Sequence, residues 1–214
     1  MSTELIVVGA GGFGRQTLDV VQALNRAADV PIFDLLGVVD SGLSDLNRER
    51  LEQRGEAYLG TVAEWLAYDY HALYLIGIGD PVARQSLDRL FLDAGMAAAT
   101  AIHPLASIGS QATIGDGTVV CGGTQVSTNV RLGRHVHLNP NVAIGHDAVL
   151  HDFVSVNPGA IISGDVEVGN RVLIGAGAVI LQGLAVGSGA VVGASACVVR
   201  HVPGDTVVMG VPAR

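Results

Sequence analysis

Two groups of residues in this chain have types and spacing suited to chemistry. The first is His146 followed by Asp147. A neutral imidazole can take a proton near pH 7, and a carboxylate beside it can hold the required tautomer. Such a base suits reactions in which an amine or hydroxyl loses a proton as it attacks. The chain has seven histidines, and taken alone this pair reads more readily as an ordinary surface pair. The second group is Gly9-x-Gly11-x-x-Gly14, with Asp40 further on. Glycines after a strand let a phosphate approach backbone N–H groups at a helix start. An aspartate at the next strand end can accept a hydrogen bond from a ribose hydroxyl. A tight strand–helix turn without ligand uses the same glycines.

The glycine group belongs to residues 1–101, where strand and helix signals alternate. Leu5-Ile6-Val7-Val8 predicts a short buried strand, and Gln16 to Leu24 carries apolar residues at helical spacing. Leu35 to Val39 predicts a second strand ending at Asp40, and Leu73 to Ile78 a third, with a helix from about Val82 to Leu92. This alternation predicts an α/β, Rossmann-like parallel-sheet domain. It is short for the two halves of a dinucleotide fold, which disfavours NAD.

The His146 group belongs to residues 102–214, which obey a different period. From Ile108 to Val198 every sixth residue is Ile, Val or Leu, without exception. The position four further on is small or β-branched, as in Ala112, Thr118, Thr124 and Val130. Six residues advance about 240° round an α-helix and would scatter these side chains over three faces. Six is even, so in extended chain they share one face. A turn in each hexad then coils the chain, and each coil buries the face of the next. Composition agrees: 49% of residues are hydrophobic but only 4% aromatic, with 29 glycines, which suits thin repetitive packing.

Charge and cysteines exclude some classes. The net charge is −8, and every basic residue is arginine. Residues 1–101 hold 7 basic and 14 acidic residues, residues 102–214 hold 5 and 6, and no basic patch exists for a nucleic-acid backbone. No apolar run is long enough to span a membrane and no signal peptide opens the chain, so a soluble cytoplasmic protein is expected. Cys121 and Cys197 read as small buried hydrophobes, not as a disulfide or zinc site.

The hexad form, aliphatic-Gly-x-x-small-x, resembles the hexapeptide-repeat acyltransferases, whose coils build a left-handed parallel β-helix. The whole chain is similar to the branch of sialic acid O-acetyltransferases and nucleotide-amino-sugar N-acetyltransferases. The matching residues are Val7-Val8-Gly9-Ala10-Gly11-Gly12-Phe13-Gly14, Ile78-Gly79-Asp80, Ile102-His103-Pro104, Gly145-His146-Asp147 and Gly210-Val211-Pro212-Ala213. The resemblance implies a nucleotide-sugar-binding domain over 1–101 and a β-helical acyltransferase domain over 102–214. It implies an acetyl-CoA-dependent N-acetyltransferase of a nucleotide-linked 4-amino sugar for surface glycan synthesis, with no metal. His146 would be the base and Asp147 its orienting partner. Gly9, Gly11, Gly12, Phe13, Gly14, Asp40, Gly79, Asp80 and Asn139 would hold the acceptor nucleotide sugar. Gly164, Gly175, Ala176, Gly193 and Ala194 would line the acetyl-CoA cleft, with Arg171, Arg200 and Arg214 available for its phosphates.

Three positions depart from the branch. Phe13 and Ser155 stand where relatives often carry histidine, and Gly145 stands where many carry a second acid. His135, His137, His151 and His201 are expected to be ordinary surface residues, and His103 part of the linker turn. The rival readings are O-acetylation of a sugar of the sialic acid type, a non-catalytic solenoid module, and an NAD-dependent enzyme with a β-helical tail. One convex prism offers no deep cleft for a pantetheine arm, so a homotrimer with sites between subunits is expected.

Overall fold

A computed structural model describes residues 2–68 and 70–214. The N-terminal part is a three-stranded parallel sheet of β1 (Thr3–Val8), β2 (Phe33–Val39) and β3 (Leu73–Ile76), in the order β2-β1-β3. Central β1 is apolar at every position from Leu5 to Val8 because both its faces are covered. Leu5 and Val7 pack toward α1 (Gly12–Ala27), while Ile6 and Val8 join Trp65, Tyr74 and Phe91 on the other side. The α4 helix (Pro81–Asp93) starts where Asp80 caps the Val82 and Ala83 amides and Pro81 occupies the first turn. Two further helices, α2 (Asp45–Gln53) and α3 (Val62–Leu66), were not expected from the pattern. Only Leu51 of α2 is buried, so that helix has no apolar stripe to read, and α3 is a single turn fixed by a Thr61–Glu64 capping box.

From Ala101 the chain winds into a parallel β-solenoid of about six turns. Its strands are two residues long and form three flat sheets, which we call the first, second and third faces. The first face runs from Ala101–Ile102 to Val207–Val208, the second from Ser107–Ile108 to Cys197–Val198, and the third from Thr113–Ile114 to Ala185–Val186. As far as Cys197–Val198 each strand pairs with the one eighteen residues on, as in Leu138 with Val156 and Ile144 with Ile162. The hexad aliphatics are the inward residues and stack into one continuous core.

Corners obey a second rule that composition hides. Every sixth residue from Gln111 to Ser195 has φ between 50° and 77°. Glycine fills some of these positions, but Asn129, Asp147, Phe153 and Arg171 fill others, at a cost of roughly 1–2 kcal/mol each for an L-residue. Near the end the register tightens, since Val186 meets Val202 and Val192 meets Val208.

The N-terminal part packs on the first face and on the edge where the third face turns into the first. Helix α1 meets Ala101, Val119 and Cys121. The Phe13 ring stacks on His137 at 4.3 Å, and His135 donates or accepts at 2.6 Å from Asp88 while stacking on Phe153. His135 and His137 are therefore buried, not surface residues. Outward positions are exposed only on uncovered faces, and a six-residue period cannot say which face is covered. His201 is exposed as expected, and His151 is half-exposed. Cys121 is buried in this junction, which pushes its thiol up to about 12, whereas Cys197 is partly exposed on the second face. Among the described residues no helix is long and apolar enough to cross a membrane.

Candidate active site

His146 sits on the edge between the second and third faces, directly after the Ala143–Ile144 strand. Neighbours along a strand point to opposite sides, so contact with Asp147 needs a corner. The corner is there: Asp147 has φ 62°, and its Oδ2 lies 2.7 Å from His146 Nδ1. One coil above, Asn129 Nδ2 donates to Asp147 Oδ1 at 3.0 Å. The Asn129 amide first, and His146 second, hold the Asp147 carboxyl below its usual value. An ionised Asp147 accepts the Nδ1–H, which assigns the lone pair to Nε2. Nε2 has no protein partner among the described residues, and the His146 side chain is 52% exposed. A neutral ring held this way can accept a proton at Nε2.

Two further residues complete the corner. A Cβ on Gly164 would stand 2.6 Å from His146 Cε1 and Nε2, so the imidazole lies on a bare glycine floor one coil below. The Asp165 carboxylate comes within 4.8 Å of the His146 and Asp147 ligand atoms, placing a second negative charge beside a ring that becomes cationic on taking a proton. Asn129 and Asp165 were missed in the sequence. Reading every eighteenth residue instead of every sixth would have stacked Asn129, Asp147 and Asp165 in one column.

The glycine turn divides by function. A Cβ on Gly14 would collide with the Gly9 carbonyl, and Gly9 itself, with φ 104°, presses on Ile78. Those two glycines serve close packing of the β1–α1 and β3–α4 connections. Gly11 and Gly12 meet nothing within 4 Å and have no positive φ, so packing does not require them. They leave bare amides at the start of a 16-residue helix with no side-chain cap and no acid in its first turn. Such an end attracts an anion. Phe13 faces the solenoid through its stack on His137.

Asp40 closes the turn from the β2 end. Its Oδ2 accepts from the Ala10 amide at 2.7 Å and its Oδ1 from the Gly42 amide at 2.7 Å, leaving lone pairs on each oxygen. Val8, Gly9, Asp40, Ser41, Gly42, Val62, Ile78 and Leu87 line a cavity of ≈ 220 Å³ at the C-terminal ends of the strands. Ligands of open parallel sheets bind at such ends. Gly79 has open space, and the Asp80 carboxylate is spent on capping α4. A larger cavity of ≈ 780 Å³, lined by Thr3, Glu4, Asp34 and Met96, lies at the opposite ends of the same strands.

The remaining candidates lie elsewhere. Asn139, Gly175, Ala176, Gly193 and Ala194 are stacked along the edge between the first and second faces. Asn139 is buried, and its Nδ2 donates to the Val156 carbonyl, bracing one coil against the next. A Cβ on Gly175 would collide with the Ala194 amide, so coil stacking demands that glycine. Ala176 and Ala194 are exposed. Arg171 reaches Gln85 on α4 at 3.4 Å. One chain thus unites His146, Asp147 and Gly164. The width of the second face separates them from Ala176 and Ala194, and the prism itself stands between them and the face that carries the N-terminal sheet.

Comparison with known proteins agrees with this organisation. Residues 4–89 match the PglD N-terminal domain, and residues 147–182 match the bacterial transferase hexapeptide (six repeats). No curated protein matches the sequence significantly. Among solved structures the chain is similar to WeeI from Acinetobacter baumannii AYE, with 30% identity, 99% of each chain covered and a TM-score of 0.86. It is similar to the acetyltransferase domain of PglB from Neisseria gonorrhoeae FA1090 in complex with acetyl coenzyme A, with 28% identity, 100% of this chain and 99% of that one covered, and a TM-score of 0.87. PerB from Caulobacter crescentus, in complex with CoA and GDP-perosamine, shares 25% identity over 99% of this chain and 96% of its own, with a TM-score of 0.79. A PglD-type sheet domain, a hexapeptide solenoid and full-length likeness to these structures lead to one conclusion: the chain belongs to the hexapeptide-repeat acyltransferases, in the branch that carries a PglD-type N-terminal domain.

Proposed function

We propose that the protein is an acetyl-CoA-dependent N-acetyltransferase of a nucleotide-linked 4-amino sugar, acting as a homotrimer with sites shared between subunits. The observation that carries this reading is the His146–Asp147–Asn129 chain, which leaves Nε2 bare on an exposed edge. The acceptor amine attacks the thioester carbonyl, forming the N–C bond, and His146 Nε2 takes the amine proton. The tetrahedral intermediate then expels the CoA sulfur, which leaves with that proton as the C–S bond breaks. Asp147 and Asp165 both lie beside the imidazolium formed on the way. Exposed Ala176 and Ala194, with only methyl side chains, let the pantetheine amides or a developing oxyanion approach the chain. The diphosphate lies at Gly11 and Gly12, with the nucleoside in the cavity beside Asp40.

The position of the N-terminal part favours shared sites. It covers the first face, whereas His146 stands on the edge between the other two. A second prism laid alongside can bring its own second–third edge toward this chain's acceptor cavity, and threefold closure repeats that contact three times. Acetyl-CoA with a panel of nucleotide amino sugars tests the activity, and mixed subunits test the sharing. His146→Ala should lower turnover about 10²–10⁴-fold with the fold intact. Mixing it with Gly11→Val subunits should restore part of the activity. A monomer with full turnover, or no transfer to any nucleotide amino sugar, would refute the proposal.

A further inference from the structure

Arg84 of α4 is wholly buried where the two parts of the chain meet. Its acceptors are neutral and come from both sides. Nε donates to the His135 carbonyl at 3.1 Å, and Nη2 to the Phe153 carbonyl at 2.8 Å and Ser155 Oγ at 2.9 Å, all in the solenoid. Nη1 donates to the Ile78 carbonyl at 2.7 Å and the Gly79 carbonyl at 3.2 Å, in the β3–α4 connection. Ser155, itself buried, donates its hydroxyl proton to the same Gly79 carbonyl at 2.8 Å. Burial lowers the Arg84 pKa to about 9, so it stays a cation at neutral pH. Five donors in a rigid fork are what fixing several carbonyls at once requires.

The carbonyls it fixes are not in an arbitrary loop. Ile78 forms one wall of the cavity beside Asp40, and it packs so closely on Gly9 that a Cβ there would come 2.8 Å from Ile78 Cγ1. Any shift of Ile78 and Gly79 therefore alters the cavity and the glycine turn together. We propose that Arg84 and Ser155 are positioning residues for acceptor binding, clamping the Ile78–Gly79 backbone to the solenoid so that the nucleotide cavity keeps its shape. The inference rests on the acceptor site proposed above. It also gives a role to Ser155, which stands where relatives often carry histidine: its hydroxyl is committed to Gly79 and lies on the first face, away from the His146 edge.

Ser155→Ala removes the bridge and leaves the Gly79 carbonyl only the longer contact with Arg84. Loss of one buried hydrogen bond should raise the acceptor KM about five- to tenfold while the acetyl-CoA KM stays within about twofold. Ser155→Thr, which keeps the hydroxyl, should restore most of the difference. Calorimetric titration with UDP and GDP, which needs no chemistry, should show the same weakening in Ser155→Ala. Equal changes in both KM values, or a lower melting temperature with acceptor KM and diphosphate affinity unmoved, would reduce the pair to a structural rivet and overturn the inference. A wild-type protein that transfers no acetyl group but binds a diphosphate more tightly than Ser155→Ala would refute the enzymatic reading and keep the clamp. A wild type that does neither would overturn both.

Discussion

His137 makes the junction sensitive to acid, by an amount that can be worked out. Its ring is fully enclosed and stacked on Phe13, and neither nitrogen closes a hydrogen bond of good geometry, although the Ile76 carbonyl lies near enough to act on it. Burial first, then the nearby charges of Arg84 and His135, hold its pKa well below the ordinary 6.5, and the Ile76 carbonyl offsets this only in part. The folded chain keeps His137 neutral while the unfolded chain binds a proton, so stability is complete above pH 6.5 and falls as the pH drops below it. Below pH 6.5 the slope is at most about 1.4 kcal/mol per pH unit, which sets an upper bound of about 2 kcal/mol on the loss between pH 8 and pH 5. Asp88 does not blur this window. Burial raises its pKa, but hydrogen bonds from His135 and Tyr74 outweigh that and hold it below 3.8, so its loss comes at lower pH. His137→Phe keeps a ring against Phe13 and removes the proton site. For a chain of this size, 2 kcal/mol is about 4–8 °C in Tm. Thermal unfolding followed by circular dichroism at pH 8 and pH 5 should show the wild type losing more than the variant, by up to that much. Identical losses would mean that His137 is not the buried neutral ring described.

Two further outcomes concern the site. Gly164→Ala places a methyl group where the His146 ring lies, and should lower kcat at least about tenfold, with an unchanged far-UV circular dichroism spectrum showing that the coil survives. Gly11→Val fills open space and relieves no strain, so it should leave Tm within about 2 °C while raising acceptor KM much more than acetyl-CoA KM. Equal effects on both substrates would place the acceptor elsewhere.

The solenoid was legible because its constraint is local and repeated. From Val120 to Val198 every hexad aliphatic lies in the core, since each has chain packed above and below it, the last beneath the C-terminal turn around Ala213. Ile108, in the first coil, is the exception at 37% exposed, because its neighbours cover it from one side only. His146 and Asp147 were legible as a pair, and the left-handed φ of Asp147 supplies the contact that strand geometry denies. What sequence did not show depends on distance. The partners of Asp147 are eighteen residues away on either side, and the burial of His135, His137 and Ser155 comes from α1 and α4, more than 40 residues earlier. Gly9 and Gly14 could not be told from Gly11 and Gly12 until the β3–α4 connection was seen against them.

The glycine floor under His146 also limits how the gene can change length. Solenoids tolerate whole repeats gained or lost, because each contacts only its neighbours. Deleting six residues between Asp147 and Gly164 would carry all later chain round by one face and bring Asn170 beneath His146. Deleting a full coil from within residues 148–165 would keep the faces in order but bring Gln182 there instead. Either side chain would occupy the space the imidazole needs. Insertions and deletions among descendants of this sequence should therefore avoid the interval from 146 to 164, and fall in multiples of eighteen outside it.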